Sequence, residues 1–498
     1  MARDARWSQV SMMRFLILPR RSARRIGVAA LCALSIAMSS ADAAPVDAAS
    51  ARSPDPATMR AIVAEFDALA DQVMETGQVV GLATAIVHRG EILSLRGLGV
   101  ADAATRRPVD VDTVFRLASL TKGIAGTTTA MLVREGFLQW DQPVEPWLPQ
   151  FALADPTQSA RVTVRDLVAH RLGLRFTALD EKLQAEAPYH DLVERLRLEP
   201  LRCPVGECYG YQNVAFSLIG DLAFSTTGEF FERAARRRLL IPLGMTRTDF
   251  GREALTRDDN WARPHVRAGS GFSAVFPKPT YYRVVPAAGA NASITDMATW
   301  ALAQLGHRRD VLPEDLLEEI RTPVVETPGE LERVPWRRER VRSAHYALGW
   351  RIYDYMGHRL VFHGGAVQGF RGVIALLPEH DFGVVMLWNN EAATPSGLLP
   401  TVIDRVLGLP AVDWLQLAAV ERRPPIRPLR REIGQTTASK PVDRTGGSRP
   451  PPRGAPRSVR ARVRARRLRS RERGASNDAI AGRRIVRHGQ TRATAARS

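Results

Sequence analysis

Val114-Phe115-Arg116-Leu117-Ala118-Ser119-Leu120-Thr121-Lys122-Gly123 is an apolar, strand-like approach that runs into a serine, with a lysine three residues on. The run beyond it, with Ile124, Met131 and Leu132 among alanines and three threonines, predicts a mostly buried helix. If that helix begins near Ser119, positions 119 and 122 lie one turn apart on a single face. The hydroxyl and the amine then come within reach of each other. A serine is a poor nucleophile until a neighbour takes its proton. A lysine does so only when burial or another cation lowers its pKa toward neutrality. The first turn of a helix also offers free backbone N–H groups, beside which negative charge develops favourably. A capping serine and a surface lysine would satisfy the same spacing, so partners must be sought elsewhere in the chain.

Upstream, Met59, Ile62, Val63, Phe66, Leu69, Ala70, Val73 and Met74 follow helical spacing from Thr58, and Gly77 ends the run. Residues 82–88 and 92–98 are β-prone around Arg89-Gly90-Glu91, a hairpin signal. Downstream, a largely helical section extends to about residue 250. Residues 360–362, 372–377 and 384–387 again predict strands, and Leu398, Leu399, Val402, Ile403, Val406 and Leu407 predict a closing helix. Hairpins at both ends of a helical insert predict an α+β fold. An antiparallel sheet assembled from the two ends is flanked by helices, with a helical lobe beside it. The cleft between sheet and lobe is the expected site.

The 498 residues carry a formal charge of +18, which would suggest a nucleic-acid binder if it were spread over the chain. It is not. Residues 421–498 hold 23 Lys and Arg against 5 Asp and Glu, and the remainder holds 47 of each. The basicity is a property of a tail, so no nucleic-acid partner is implied for the folded part. That tail has too few large apolar residues for a core and is expected to be disordered. It reads either as an arm for anionic surfaces such as lipid headgroups or as a solvated extension. At the other end, Arg20, Arg21, Arg24 and Arg25 precede an apolar run over 26–38, and Ala41-Asp42-Ala43 offers a small-residue cleavage site. The run is too short to span a bilayer, so export to the periplasm or medium is expected, without a stable membrane span. The expected organisation is a signal peptide over 1–43, a linker over 44–57, one domain over 58–412 and the tail over 413–498. Cys32 falls in the signal. Cys203 and Cys208 would close a small ring in an oxidising compartment, and no further metal ligands stand near them.

Two further stretches bear on Ser119. Tyr211-Gln212-Asn213 precedes a helical run, and in a loop residues two apart can face one side of a cleft. A phenol near a cation can ionise and act as a base, and a carboxamide can bind a substrate amide. The plain alternative is a core aromatic followed by a capping Asn. The second stretch is Phe362-His363-Gly364-Gly365-Ala366 at a strand end, where glycines admit a substrate to the strand edge and a backbone N–H can stabilise an oxyanion.

Taken in order, S-x-x-K, Y-x-N and H-x-G resemble the penicillin-recognising serine hydrolases, most nearly the class C β-lactamases with the related DD-peptidases and family VIII esterases. Ser119-Leu120-Thr121-Lys122, Tyr211-Gln212-Asn213 and His363-Gly364-Gly365 stand at the three family motifs, the last where most members carry K-T-G. Pro242-Leu243-Gly244-Met245, the stretch from Gly289 to Met297, and Tyr346-Ala347-Leu348-Gly349-Trp350 also fall in family order. The resemblance covers roughly residues 58–410. It implies a β-lactamase/DD-peptidase-like fold and an acyl-enzyme formed at Ser119. Lys122 and Tyr211 would share proton transfer, with the ammonium favouring phenolate character in Tyr211. Asn213, His363, Gly364, Gly365 and Ala366 would bind substrate, the Ser119 and Ala366 backbone N–H groups forming the oxyanion hole. Water would deacylate, and no metal or organic cofactor is implied. The substrate would be a small molecule or peptide with a scissile amide or ester.

His363 departs from the usual Lys and is mostly uncharged near neutral pH, so it holds a substrate carboxylate less firmly. Arg371 is the expected replacement for that charge, and His170 in Ala169-His170-Arg171 reads as structural. Asp381-Phe382-Gly383 spells a kinase metal motif but lacks its companions and reads as a hairpin turn. G-x-S-x-G is absent. A carboxylesterase, a D-Ala-D-Ala carboxypeptidase or D-aminopeptidase, and a penicillin-binding protein that never turns over are the competing readings beside the β-lactamase.

Overall fold

The computed structural model describes residues 53–269 and 271–420. The expected signal, the greater part of the expected linker, Cys32 and the basic stretch from residue 421 lie outside the described residues. Helix α1 (Pro56–Glu75) starts two residues before the expected boundary. Asp55 is the reason: its carboxylate accepts from the N–H groups of Ala57 (2.9 Å) and Thr58 (3.1 Å), and Pro56 is preorganised for the first turn. The apolar stripe read from the sequence is the buried face, with Met59, Ile62, Val63, Phe66, Ala70 and Val73 turned to the sheet.

Among the described residues, nine strands form one antiparallel sheet: β1 (Gly81–His88), β2 (Glu91–Asp102), β3 (Arg107–Pro108), β4 (Val325–Glu326), β5 (Val341–Tyr346), β6 (Arg351–Tyr355), β7 (His358–Val367), β8 (Phe370–Leu377) and β9 (Phe382–Trp388). Their order is β3-β2-β1-β9-β8-β7-β6-β5-β4. The seam between β1 and β9 joins the amino-terminal hairpin to the carboxy-terminal strands, in register from Leu82 opposite Trp388 to His88 opposite Phe382. Both strands are buried along their whole length, so neither half has a finished sheet alone. Asp381, in the left-handed region at φ 46°, makes the β8–β9 turn that the kinase-like letters had mimicked.

One face of the sheet packs α1 and the closing helix α4 (Leu398–Val406) around Ile86, Phe362 and Val384. The other face packs α2 (Thr121–Arg134) and the helical lobe, which includes α3 (Leu218–Thr227). A last helix, α5 (Trp414–Val420), corrects the expected tail boundary at residue 413. Trp414 is buried and its Nε1–H donates to Asp404 Oδ2 at 2.9 Å, so one aromatic anchor extends the packed domain to its neighbours. Among the described residues no helix is long and apolar enough to cross a membrane.

Helix α2 is buried nearly throughout, and Tyr346-Ala347-Leu348-Gly349-Trp350 lies directly against it. A methyl group at Gly126 would stand 2.1 Å from the Leu348 carbonyl oxygen, so only glycine admits this approach. Gly126→Ala is therefore expected to destabilise the domain by about 1–3 kcal/mol, read as a lower urea midpoint. An unchanged midpoint would mean that the loop yields freely.

Candidate active site

The approach to Ser119 is anchored beneath by a short strand pairing, Phe115 opposite Ala292, and by the Leu117 N–H donating to the Ala290 oxygen at 2.9 Å. Ala118 then takes a left-handed conformation at φ 50°, unfavourable for a residue with a Cβ. Thr121 holds the turn closed: its hydroxyl donates to the Ala118 oxygen at 2.6 Å and accepts from the Ala290 N–H at 3.2 Å. This bend puts Ser119 in a single 3₁₀ turn at the head of α2, half-buried at the cleft floor.

Lys122 follows one turn later and is fully buried. Its Nζ lies 3.4 Å from Ser119 Oγ, 2.7 Å from Asn213 Oδ1 and 3.0 Å from the Ala287 carbonyl oxygen. The rings of Tyr211 and Phe216 close over it at 4.5 Å and 5.2 Å from their centroids. Burial holds its pKa well below the ordinary 10.5; Asp180 opposes the shift and Arg351 adds to it. A neutral amine has two N–H bonds and one lone pair. Asn213 and Ala287 present oxygen acceptors for the two N–H bonds, which leaves the lone pair for the Ser119 proton. Burial favours the neutral amine at this position.

Tyr211 lines the same cleft as Ser119, and its ring lies 4.5 Å from Lys122 Nζ. The expectation of phenolate character fails here. Burial raises the Tyr211 pKa far above its usual value, against the lowering pull of Arg351, and Lys122 is itself driven toward neutrality. Tyr211 is a phenol that can pass a proton, not a standing base. Its loop is held by the Cys203–Cys208 disulfide on one side and by His170 on the other. His170 is structural as expected: its Nδ1 accepts from the Gln212 N–H at 3.1 Å, and its ring packs 4.5 Å from that of Tyr211. Asn213 donates through Nδ2 to Asp180 Oδ2 at 2.7 Å, which fixes its carboxamide so that the oxygen meets Lys122.

The third motif divides. Gly364, Gly365 and Ala366 line the cleft. A Cβ on Gly365 would lie 2.4 Å from the Leu117 oxygen and 3.3 Å from the Ser119 nitrogen, so the glycine brings this strand against the Ser119 amide. His363 does not bind substrate as expected. It lies two residues before Gly365 and on the same face of β7, but it is buried, with Nε2 3.2 Å from the Tyr346 hydroxyl and Nδ1 2.8 Å from the Gly364 oxygen. Burial, then Arg351 and Lys122, hold its pKa well below the usual value.

Residues 66–406 match the family described as beta-lactamase. The chain belongs to the beta-lactamase family. It is 27% identical over 390 residues to the unguisins hydrolase ungD of Aspergillus violaceofuscus, covering 71% of this chain and 66% of that protein. It is 24% identical over 335 residues to protein flp of Staphylococcus aureus, covering 65% and 62%. The chain therefore spans about two thirds, or less, of the length of these curated relatives. In fold it is similar to the octameric penicillin-binding protein homologue from Pyrococcus abyssi, with TM-score 0.61 at 24% identity over 70% of this chain and 78% of that one. Its fold is the one read from the strand pattern.

The family cleft encloses about 600 Å³. Its walls hold groups that no sequence motif marked. Asp180 is buried, and its Oδ2 accepts from Asn213 and, at 3.2 Å, from the Tyr281 hydroxyl; burial raises its pKa. Glu330 is buried among Arg337 (2.6 Å), Arg351 (3.0 Å) and Arg333 (3.2 Å). Burial alone would raise its pKa, but Arg351, Arg337 and Arg333 together hold it below the usual value. Asp180 lies in a short helix that reads as surface, and Glu330 in a polar loop. Only the pairing of each with a distant residue gives it meaning. Because Lys122 must be unprotonated to accept a proton, acylation is expected to rise with pH through its depressed pKa. The ascending limb of kcat/KM for a p-nitrophenyl ester then falls well below pH 10.5. A limb near that value would mean that the amine is not desolvated in solution.

Proposed function

We propose that the protein is an exported serine hydrolase that opens a scissile amide or ester through an acyl-enzyme on Ser119, first of all a β-lactam ring as in class C enzymes. The observation that carries this reading is the buried Lys122 amine at 3.4 Å from Ser119 Oγ, with oxygen acceptors at its two other contacts. Lys122 takes the hydroxyl proton as Oγ bonds to the substrate carbonyl carbon. The Ser119 and Ala366 N–H groups hold the resulting oxyanion. Tyr211 relays the proton from Lys122 to the departing nitrogen or oxygen, and the carbonyl reforms as the Ser119 ester. A water molecule then gives its proton back along the same path while its oxygen attacks the ester, which frees the acid and restores Ser119. Asn213 offers its second Nδ2 hydrogen to a substrate carbonyl.

A linear peptide or ester is the second reading, and one observation favours it. A further cavity of about 760 Å³ shares Phe176, Glu330 and Arg333 with the cleft, enough to seat a chain longer than a bicyclic lactam. Nitrocefin, short p-nitrophenyl esters and a D-Ala-D-Ala peptide separate the two readings. A persistent acyl adduct by intact mass would instead mark a protein that does not turn over. The amino-terminal signal features support export, and the disulfide suits an oxidising compartment.

Ser119→Ala is expected to abolish labelling by a fluorophosphonate or penicillin probe and to lower kcat/KM roughly 10⁴-fold or more. Labelling that persists would remove Ser119 from its role. Arg371 lines the cleft and is the cation proposed for a substrate carboxylate. Arg371→Ala should raise KM for a carboxylate-bearing substrate roughly tenfold, the worth of one charge-assisted hydrogen bond, relative to its methyl ester. Equal KM changes for acid and ester would refute the assignment.

A further inference from the structure

At the sheet end remote from Ser119, ionisable groups gather that hydrolysis does not use. His358 opens β7, and Glu379 and His380 lie in the turn between β8 and β9. Gly365 at the cleft lies seven positions along β7 from His358, roughly 23 Å along an extended strand. The three side chains converge although 20 residues of chain lie between the first and the nearer of the others. His380 Nε2 stands 3.2 Å from His358 Nδ1, and His358 Nδ1 stands 3.4 Å from a Glu379 carboxylate oxygen. All three atoms lie within 4.8 Å of one another.

Donors about 2.0–2.1 Å from a tetrahedral metal ion are separated from one another by roughly 3.3–3.4 Å. Two edges of such a polyhedron are therefore already in place. His358 Nδ1 faces both an imidazole nitrogen and a carboxylate oxygen, so three metal-donor atoms from two turns meet at one point. The neighbourhood also holds more imidazole nitrogen than the protein satisfies. His380 Nδ1 and His88 Nε2 are buried without a hydrogen-bond partner among the described residues. The His380 ring is almost wholly buried, His358 is partly so and Glu379 is exposed, which leaves one side open to solvent.

We propose that His358, Glu379 and His380 bind a zinc-class divalent transition metal, with solvent in the fourth position, and that the ion clamps the β6–β7 turn to the β8–β9 turn. Two imidazoles and one carboxylate suit Zn²⁺, Co²⁺ or Ni²⁺ and are a poor set for Mg²⁺ or Ca²⁺, which take oxygen ligands. The three groups come from two adjacent turns of the sheet, so the ion would brace its far end and touch nothing at Ser119. Its effect is on stability, through binding to the folded state alone.

The test uses the untagged mature chain, stripped with EDTA and titrated with ZnCl₂ against a chromophoric chelator, with melting followed in ZnCl₂ and in MgCl₂. One tight equivalent of Zn²⁺ per chain is expected, together with a rise in Tm that grows with zinc concentration and is absent with magnesium. His358→Ala and Glu379→Gln, both at partly exposed positions, should each weaken zinc binding at least tenfold and remove the Tm rise. Their labelling by a fluorophosphonate should stay at the wild-type rate, which reports an intact fold. No tight equivalent, or equal zinc affinity in wild type and both variants, overturns the site. His380→Ala adds a third ligand test, read against the same labelling control because that ring is buried.

Discussion

An amine sealed from water is the constraint on which the rest of this protein depends. Lys122 has no accessible surface, and each unit by which burial lowers its pKa disfavours the ammonium by about 1.4 kcal/mol. The same burial that makes it a base would leave an unpaired polar group if its N–H bonds had no acceptors. Asn213 and the Ala287 carbonyl meet that need, and Asp180 in turn fixes which end of the Asn213 carboxamide faces the lysine. Tyr211 and Phe216 exclude water from above, and the Tyr346–Trp350 segment presses on α2 from the side. The base is thus a property of the core and not of the surface it serves.

The core exists only once distant parts of the chain have met. Ser119 and Lys122 come from the amino-terminal third, Asn213 from the lobe and Gly365 from the carboxy-terminal strands. The β1–β9 seam brings the first and last of these together, and Gly365 lets β7 lie close enough for its backbone to face the Ser119 amide. The strain at Ala118 is held because Thr121 and the 290–292 strand fix both sides of the bend. Local cost is tolerated where surrounding contacts over-determine the conformation.

Much of this was legible because it is written in periodicities. The α1 stripe, the hairpin around Gly90, the three late strands and the i, i+3 relation of Ser119 and Lys122 each repeat at a spacing the backbone imposes. Strand existence was easier to read than the burial of a side chain on the site's own face. His363 shares a face of β7 with Gly365, yet the packing of Tyr346 and its neighbours buries it. The protonation of Tyr211 was not legible, since it depends on burial that only the assembled loop creates. Asp180 and Glu330 were invisible for a related reason: a carboxylate in a polar segment reads as solvated until the residues that bury it are known. Helix α5 escaped because seven residues carry too little periodicity, and its one anchor, Trp414, borders the Arg-rich stretch.

The ring of guanidinium groups around Glu330 has a kinetic corollary. One carboxylate neutralises one of Arg333, Arg337 and Arg351, so the cleft wall keeps an excess of two positive charges beside low-dielectric aromatic surface. Field lines from such a wall are concentrated in the opening and draw in anions from about a Debye length away, near 8 Å at physiological ionic strength. Encounter with acidic molecules would then be fast in dilute buffer and slow in concentrated salt, whereas uncharged ones would arrive at a pace indifferent to the medium.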